Sequence, residues 1–314
     1  MDRFARQNAA MRIFARLLQA VVVGFVLVVA GHGATAAPAT SEAHIGVPWL
    51  GPGPEGVQAT GAALADGFTG TMLWSRQSNT SVPIASITKV MTALVVIEAG
   101  DLDRAVTVPR EAITYAAEYD GSNAGLVPGE VLTARQLLYA MMLPSGCDAA
   151  YALAEAYGPG QDAFIAKMND TARRMGLAGT HFTDPSGLPA PTDYSTYSTP
   201  ADLLTLGLRV MSLPAFRDIA ASRTYHLPEG PGNRAHLWQT TNLLLRDYPG
   251  AIGIKTGYTD AAGTCLLFET VRAGIPMIGV VLHSSPHSEL AAKNDAERML
   301  NWAYNPIASV LPLG

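Results

Sequence analysis

Apolar positions along this 314-residue chain change their period several times. The run at 17–30 is interrupted only by Gln19. Two short stretches, 59–65 and 70–74, flank Asp66-Gly67-Phe68-Thr69, the pattern of a hairpin with a polar turn. From 87 to 99 the chain is apolar on nearly every side of a helix, through Val90, Met91, Leu94, Val95 and Ile97. Such a helix is buried rather than amphipathic, and Gly100 is placed to cap it. Further helices are predicted at 132–143, stopped by Pro144, and at 148–157, 161–175 and 200–211. The last third returns to strand-like runs at 251–256, 264–270 and 277–281, followed by a helix at 289–303. That order describes a sheet assembled from both chain ends, with a block of helices inserted between them.

The N-terminal run has the grammar of an export signal. Arg3, Arg6, Arg12 and Arg16 precede it, and Ala34-Thr35-Ala36 follows as a cleavage site, so residues 1–36 are expected to be a signal peptide. The alternative is an uncleaved membrane anchor, for which the run is short of the roughly 20 residues a spanning helix needs. Residues 37–56, with Pro48, Gly51, Pro52, Gly53 and Pro54, read as a linker. The expected location is periplasmic or extracellular.

Composition adds exclusions. The net charge of −5 includes a net +3 from residues 1–36, so cleavage leaves −8. Neither value suits a nucleic-acid surface. The two cysteines, Cys147 and Cys265, do not make a disulfide framework and are expected to be free thiols. His283 and His287 are four apart, but Pro286 breaks any helix between them, so no metal site is expected there.

Candidate chemistry centres on lysine. The chain has 21 basic residues, of which only Lys89, Lys167, Lys255 and Lys293 are lysines. A guanidinium keeps its proton in a protein, whereas a desolvated amine can release it and act as a base. Lys89 follows Ser86 by three residues at the start of the buried helix, which puts both on one face. A serine needs such a base before it becomes a strong nucleophile, and a helix N-terminus favours negative charge developing beside it. A capping serine with an unrelated lysine is the plainer alternative, but a lysine within an apolar helix costs energy to bury. Lys255-Thr256-Gly257 ends a strand-like run. Lysine and threonine together can hold a carboxylate, and glycine lets a backbone come close. Ser145-Gly146-Cys147 follows Pro144 and says little alone. No Gly-x-Ser-x-Gly elbow is present, and no histidine lies near Ser86 in sequence.

Taken together, these motifs resemble those of the low-molecular-mass penicillin-binding proteins, the serine-type D-alanyl-D-alanine carboxypeptidases. The resemblance spans about residues 57–305. It also includes Pro83 to Thr92, Gly121-Ser122, Asp148-Ala149-Ala150, Asp184-Pro185-Ser186-Gly187-Leu188, Tyr197-Ser198-Thr199 and Gly253-Ile254 through Thr259. It implies an α+β fold in which an antiparallel sheet is flanked by helices and an all-helical lobe is inserted, as in serine β-lactamases and DD-peptidases. The α+β lobe would be 57–100 with 222–314, and the helical lobe 101–221. It implies Ser86 as nucleophile, Lys89 as its base and Ser145 as a proton relay. Cys147, Lys255, Thr256, Gly257 and Tyr258 would bind substrate, with the backbone N–H groups of Ser86 and Tyr258 as oxyanion hole. The implied substrate is a peptidoglycan stem peptide ending in D-Ala-D-Ala, with β-lactams as covalent inhibitors and no cofactor, metal or nucleic acid. The middle motif departs from the usual pattern, which ends in asparagine. A cysteine is not expected to supply an amide's bonds to substrate and lysine. With only a short tail after Ala303, the β-rich second domain and amphipathic anchor of many relatives are not expected here.

Other readings are a DD-transpeptidase, a β-lactamase, and a penicillin-sensing module acylated without turnover. Class A β-lactamases use a glutamate for deacylation, and this chain has none between Glu155 and Glu229. Cys147 is the feature that favours a sensor.

Overall fold

The computed structural model describes residues 52–286, 288 and 290–308. The expected signal, most of the linker, and His287 lie outside the described residues.

A five-stranded antiparallel sheet forms from strands at both ends of the described chain. β1 (Gly61–Asp66) and β2 (Met72–Arg76) make the hairpin. Its turn is organised by Asp66, whose Oδ1 accepts from the N–H groups of Phe68 at 3.0 Å and Thr69 at 2.7 Å. In chain order the remaining strands are β3 (Val82–Pro83), β4 (Ala105–Thr107), β5 (Val131–Thr133), β6 (Tyr197–Ser198), β7 (Thr224–Leu227), β8 (His236–Gln239), β9 (Ala251–Thr259), β10 (Gly263–Arg272) and β11 (Ile275–Leu282). The sheet order is β2-β1-β11-β10-β9, which leaves β9 on an edge.

The strands read as continuous apolar runs because both sheet faces are covered. Cys265 and Leu267 of β10, with Ile278 and Val280 of β11, join one core, while Leu266, Phe268, Met277 and Val281 join the other. The two-residue period sorts neighbours to opposite faces.

The helices in chain order are α1 (Lys89–Ala99), α2 (Arg110–Glu118), α3 (Ala134–Met142), α4 (Cys147–Tyr157), α5 (Gln161–Arg174), α6 (Pro200–Met211), α7 (Pro214–Ala220), α8 (Leu243–Asp247) and α9 (Leu290–Ala308). α9 covers one sheet face through Ala296, Met299, Leu300 and Tyr304, and α6 packs on the other against β1 and β11. α1 is buried from Lys89 to Val96 and closes at Gly100, whose φ is +79°.

Several boundaries differ from the pattern-based expectation. The helix expected at 132–143 begins at Ala134, because Val131–Thr133 pairs with β4 and Thr133 then forms a capping box with Gln136. The helix expected from 87 is preceded by a 3-10 turn at Ala85–Thr88. α2 escaped prediction because only Ala112 and Ala116 face the core, and α8 because it has five residues. β9, expected at 251–256, continues to Thr259 because pairing with β10 carries it past Gly257.

Candidate active site

The 3-10 turn at Ala85–Thr88 feeds directly into α1, so Ser86 and Lys89 sit one turn apart. Lys89 is fully buried. Its Nζ donates to Ser86 Oγ at 2.8 Å and to the Ser186 carbonyl at 2.8 Å, and meets Cys147 Sγ at 3.4 Å. Those three contacts match the three donors of an ammonium. A neutral amine in the same place would instead accept the Ser86 proton.

Ser145 occupies the bend between α3 and α4, with φ of +66° and only 6% exposure. Its hydroxyl has no hydrogen bond among the described residues. Cys147 opens α4 beside Lys89, and both cysteines are buried free thiols, as expected. A thiol was not expected to supply an amide's bonds to substrate and lysine, and the one contact it makes to Lys89 is the 3.4 Å approach of its sulfur to the amine. Asp148 follows, its carboxylate accepting from the N–H groups of Ala124 at 2.9 and 3.0 Å and Leu126 at 3.2 Å. Burial pushes this carboxyl up, against the pull of those backbone donors and of Lys89.

β9 supplies the opposite wall. Lys255 is 1% exposed, and its Nζ donates to the Thr256 carbonyl at 3.1 Å. Burial, and then the neighbouring Lys89, hold its amine well below the ordinary lysine range, with Cys147 opposing. Thr256 Oγ1 is 2.8 Å from Thr241 Oγ1. At Gly257 the strand passes the nucleophile's turn so closely that a Cβ would lie 2.8 Å from the Ile84 carbonyl and 3.2 Å from Ser86 N. Tyr258 stands half-exposed, its single hydroxyl donor within reach of Asp260 Oδ1 at 3.1 Å and the Pro286 carbonyl at 3.2 Å.

Between these walls lies a cavity of about 1000 Å³. Ser86, Ser145, Cys147, Thr256, Gly257 and Tyr258 line it, whereas Lys89 and Lys255 stand behind the lining, deeper than the motifs alone conveyed. Sequence reasoning quoted Asp148, Asp184 and Ser186 without assigning them contacts, and missed Thr241. Only the fold brings Thr241 to Thr256. A hydroxyl, a buried amine and a facing strand edge together can transfer an acyl group through a serine ester.

Fold and site thus define the class of serine acyl-enzyme peptidases. Residues 51–285 match the family model described as D-alanyl-D-alanine carboxypeptidase, and the chain belongs to that family. It is 35% identical over 306 residues to the D-alanyl-D-alanine carboxypeptidase of Streptomyces sp. (strain K15), covering 94% of this chain and 99% of that protein. It is 38% identical over 254 residues to D-alanyl-D-alanine carboxypeptidase DacB2 of Mycobacterium tuberculosis, covering 79% of this chain and 83% of the relative. Among solved structures it resembles that of the Streptomyces K15 DD-transpeptidase, with a TM-score of 0.75, 36% identity, and coverage of 81% of this chain and 99% of the other. The protein is a serine-type D-alanyl-D-alanine carboxypeptidase by family.

Proposed function

We propose that this enzyme removes the terminal D-Ala from peptidoglycan stem pentapeptides through an ester on Ser86. The observation that carries the reading is the 2.8 Å contact between Ser86 Oγ and the buried Lys89 amine, facing the close-passing strand at Gly257. Neutral Lys89 takes the hydroxyl proton as Ser86 Oγ attacks the penultimate D-Ala carbonyl. The backbone N–H groups of Ser86 and Tyr258 receive the oxyanion. The Ser145 hydroxyl gives its proton to the departing D-Ala amine and takes up the one Lys89 gained, which leaves Lys89 neutral again. Thr256 touches the terminal carboxylate directly, and Lys255 supports it from behind with positive charge. Water then hydrolyses the ester. A β-lactam presents a comparable carbonyl and carboxylate, and would stop at the ester.

The Streptomyces relative carries two names, carboxypeptidase and DD-transpeptidase. An acceptor amine replacing water gives the second outcome on the same ester. We assign the α+β lobe to 57–100 and 222–314, the helical lobe to 101–221, and export to residues 1–36, which places the enzyme at the cell wall. No helix among the described residues is long and apolar enough to cross a membrane.

The test is D-Ala release from a pentapeptide ending in D-Ala-D-Ala, with and without an acceptor amine. Release without acceptor is expected, and a product cross-linked to the amine when acceptor is added would mark the transpeptidase branch. No release under either condition would refute the reading.

A further inference from the structure

A turn to which the sequence assigns no contact holds the proposed base in place. Residues 184–188 lie across the buried face of α1, and their centre is the Asp184 carboxylate, 2% exposed. One oxygen, Oδ1, accepts from Ser186 N at 2.7 Å, Ser186 Oγ at 2.9 Å, Leu188 N at 2.9 Å and also Gly187 N. That set of donors fixes the direction of the Ser186 carbonyl, which meets Lys89 Nζ at 2.8 Å.

The turn is fastened from three further sides. Thr92, on α1 three residues beyond Lys89, donates to the Pro185 carbonyl. Tyr115 on α2 lies 3.0 Å from Ser186 Oγ through its hydroxyl. Gly187 has φ of +85° and presses on the residue before the nucleophile, since a Cβ there would sit 1.9 Å from the Ala85 carbonyl. Ser86, Lys89 and the turn therefore form one rigid block.

We propose that Asp184 is a positioning residue: it fixes the 184–188 turn so that the Ser186 carbonyl holds the Lys89 amine against Ser86. The inference rests on Lys89 being the base. A lysine reaches its target through a flexible four-carbon stem, so losing one of three contacts frees the amine to rotate away. The device needs an acceptor at Oδ1, not a charge. Burial pushes the Asp184 carboxyl up, with its donors and then Lys89 opposing. An ordinary turn-capping carboxylate predicts something different: lost stability, with unchanged chemistry in the molecules that remain folded.

The test is the rate of penicillin acylation of the full chain, with the saturating rate constant separated from the non-covalent dissociation constant. Asp184→Ala should lower the rate constant by about 10- to 100-fold, the scale of a misplaced catalytic group, with binding little changed. Asp184→Asn keeps an acceptor in the same place and should stay within about threefold of the unsubstituted protein. If Asp184→Ala does not fold, Thr92→Val decides, because it loosens Pro185 without touching the carboxylate; it should slow acylation several-fold. A normal rate constant in Asp184→Ala, or in Thr92→Val where that variant decides, would overturn the inference alone. So would an Asp184→Asn as slow as Asp184→Ala. No adduct on the unsubstituted protein would overturn the proposed function and this inference with it.

Discussion

Gly257→Ala is the perturbation whose cost can be read most directly from the structure. The added Cβ would lie 2.8 Å from the Ile84 carbonyl oxygen, 3.2 Å from Ser86 N and 3.3 Å from Ala85 Cβ. The nearest two are backbone atoms, so no rotamer change relieves the contact. Restoring ordinary van der Waals separation moves β9 and the serine turn apart by roughly half an ångström. Overpacking of this kind costs about 1–3 kcal/mol of stability. For a domain of this size, each kcal/mol lowers Tm by about 2–4 °C. The functional cost is separate. A misplacement of 1 Å can cost about a hundredfold in rate, so half that shift corresponds to the order of tenfold. Stopped-flow acylation and a thermal melt on the same sample measure both. Acylation within twofold of the unsubstituted protein, with an unchanged melt, would refute the close-approach argument.

Three further outcomes follow from the site and its surroundings. Cys147→Asn places an amide where a thiol now meets Lys89 at 3.4 Å. One better hydrogen bond, worth about 0.5–3 kcal/mol, should raise kcat/KM for D-Ala release by roughly 2- to 100-fold, and unchanged or lower activity in a folded variant would contradict this. In its proposed role Lys255 supports the carboxylate from behind only when protonated, and its amine is held well below the ordinary lysine range by burial and then by Lys89. KM should therefore rise with pH before the ordinary lysine range is reached, and Lys255→Arg, which keeps its proton, should flatten that rise; parallel KM profiles would count against it. Glu130 is buried beside His236, 2.9 Å from its ring, and accepts from Arg234 N and Val127 N at 2.8 Å. Burial opposes its charge, but these donors together lower its carboxyl. Its stabilising contribution is thus present above the unfolded-state value of about 4.3 and lost as pH falls through the folded one. Urea melts should show a shallower acid decline in Glu130→Gln, and identical slopes would refute the assignment.

The Ser86–Lys89 pair was legible because one helical turn is local geometry and a lysine in an apolar run needs a reason. The central sheet was legible because continuous apolar strands at both chain ends need covering on two faces. Position relative to the cavity was not legible. Lys255 sits behind Thr256, and this depends on how β9 packs against Ser86's turn, not on its own sequence. Thr241 meets Thr256 only through the fold. The role of Asp184 was hidden for a different reason. Its motif marks a turn, but which carbonyl that turn presents to Lys89 depends on a segment 97 residues away.

The most direct test of the central claim is peptide mapping after a short exposure to penicillin, paired with D-Ala release by the Ser86→Ala variant. The account predicts a single adduct, carried by the Ser86 peptide, and loss of both adduct and D-Ala release in the variant. An adduct on another residue, or D-Ala release that survives Ser86→Ala, would contradict it.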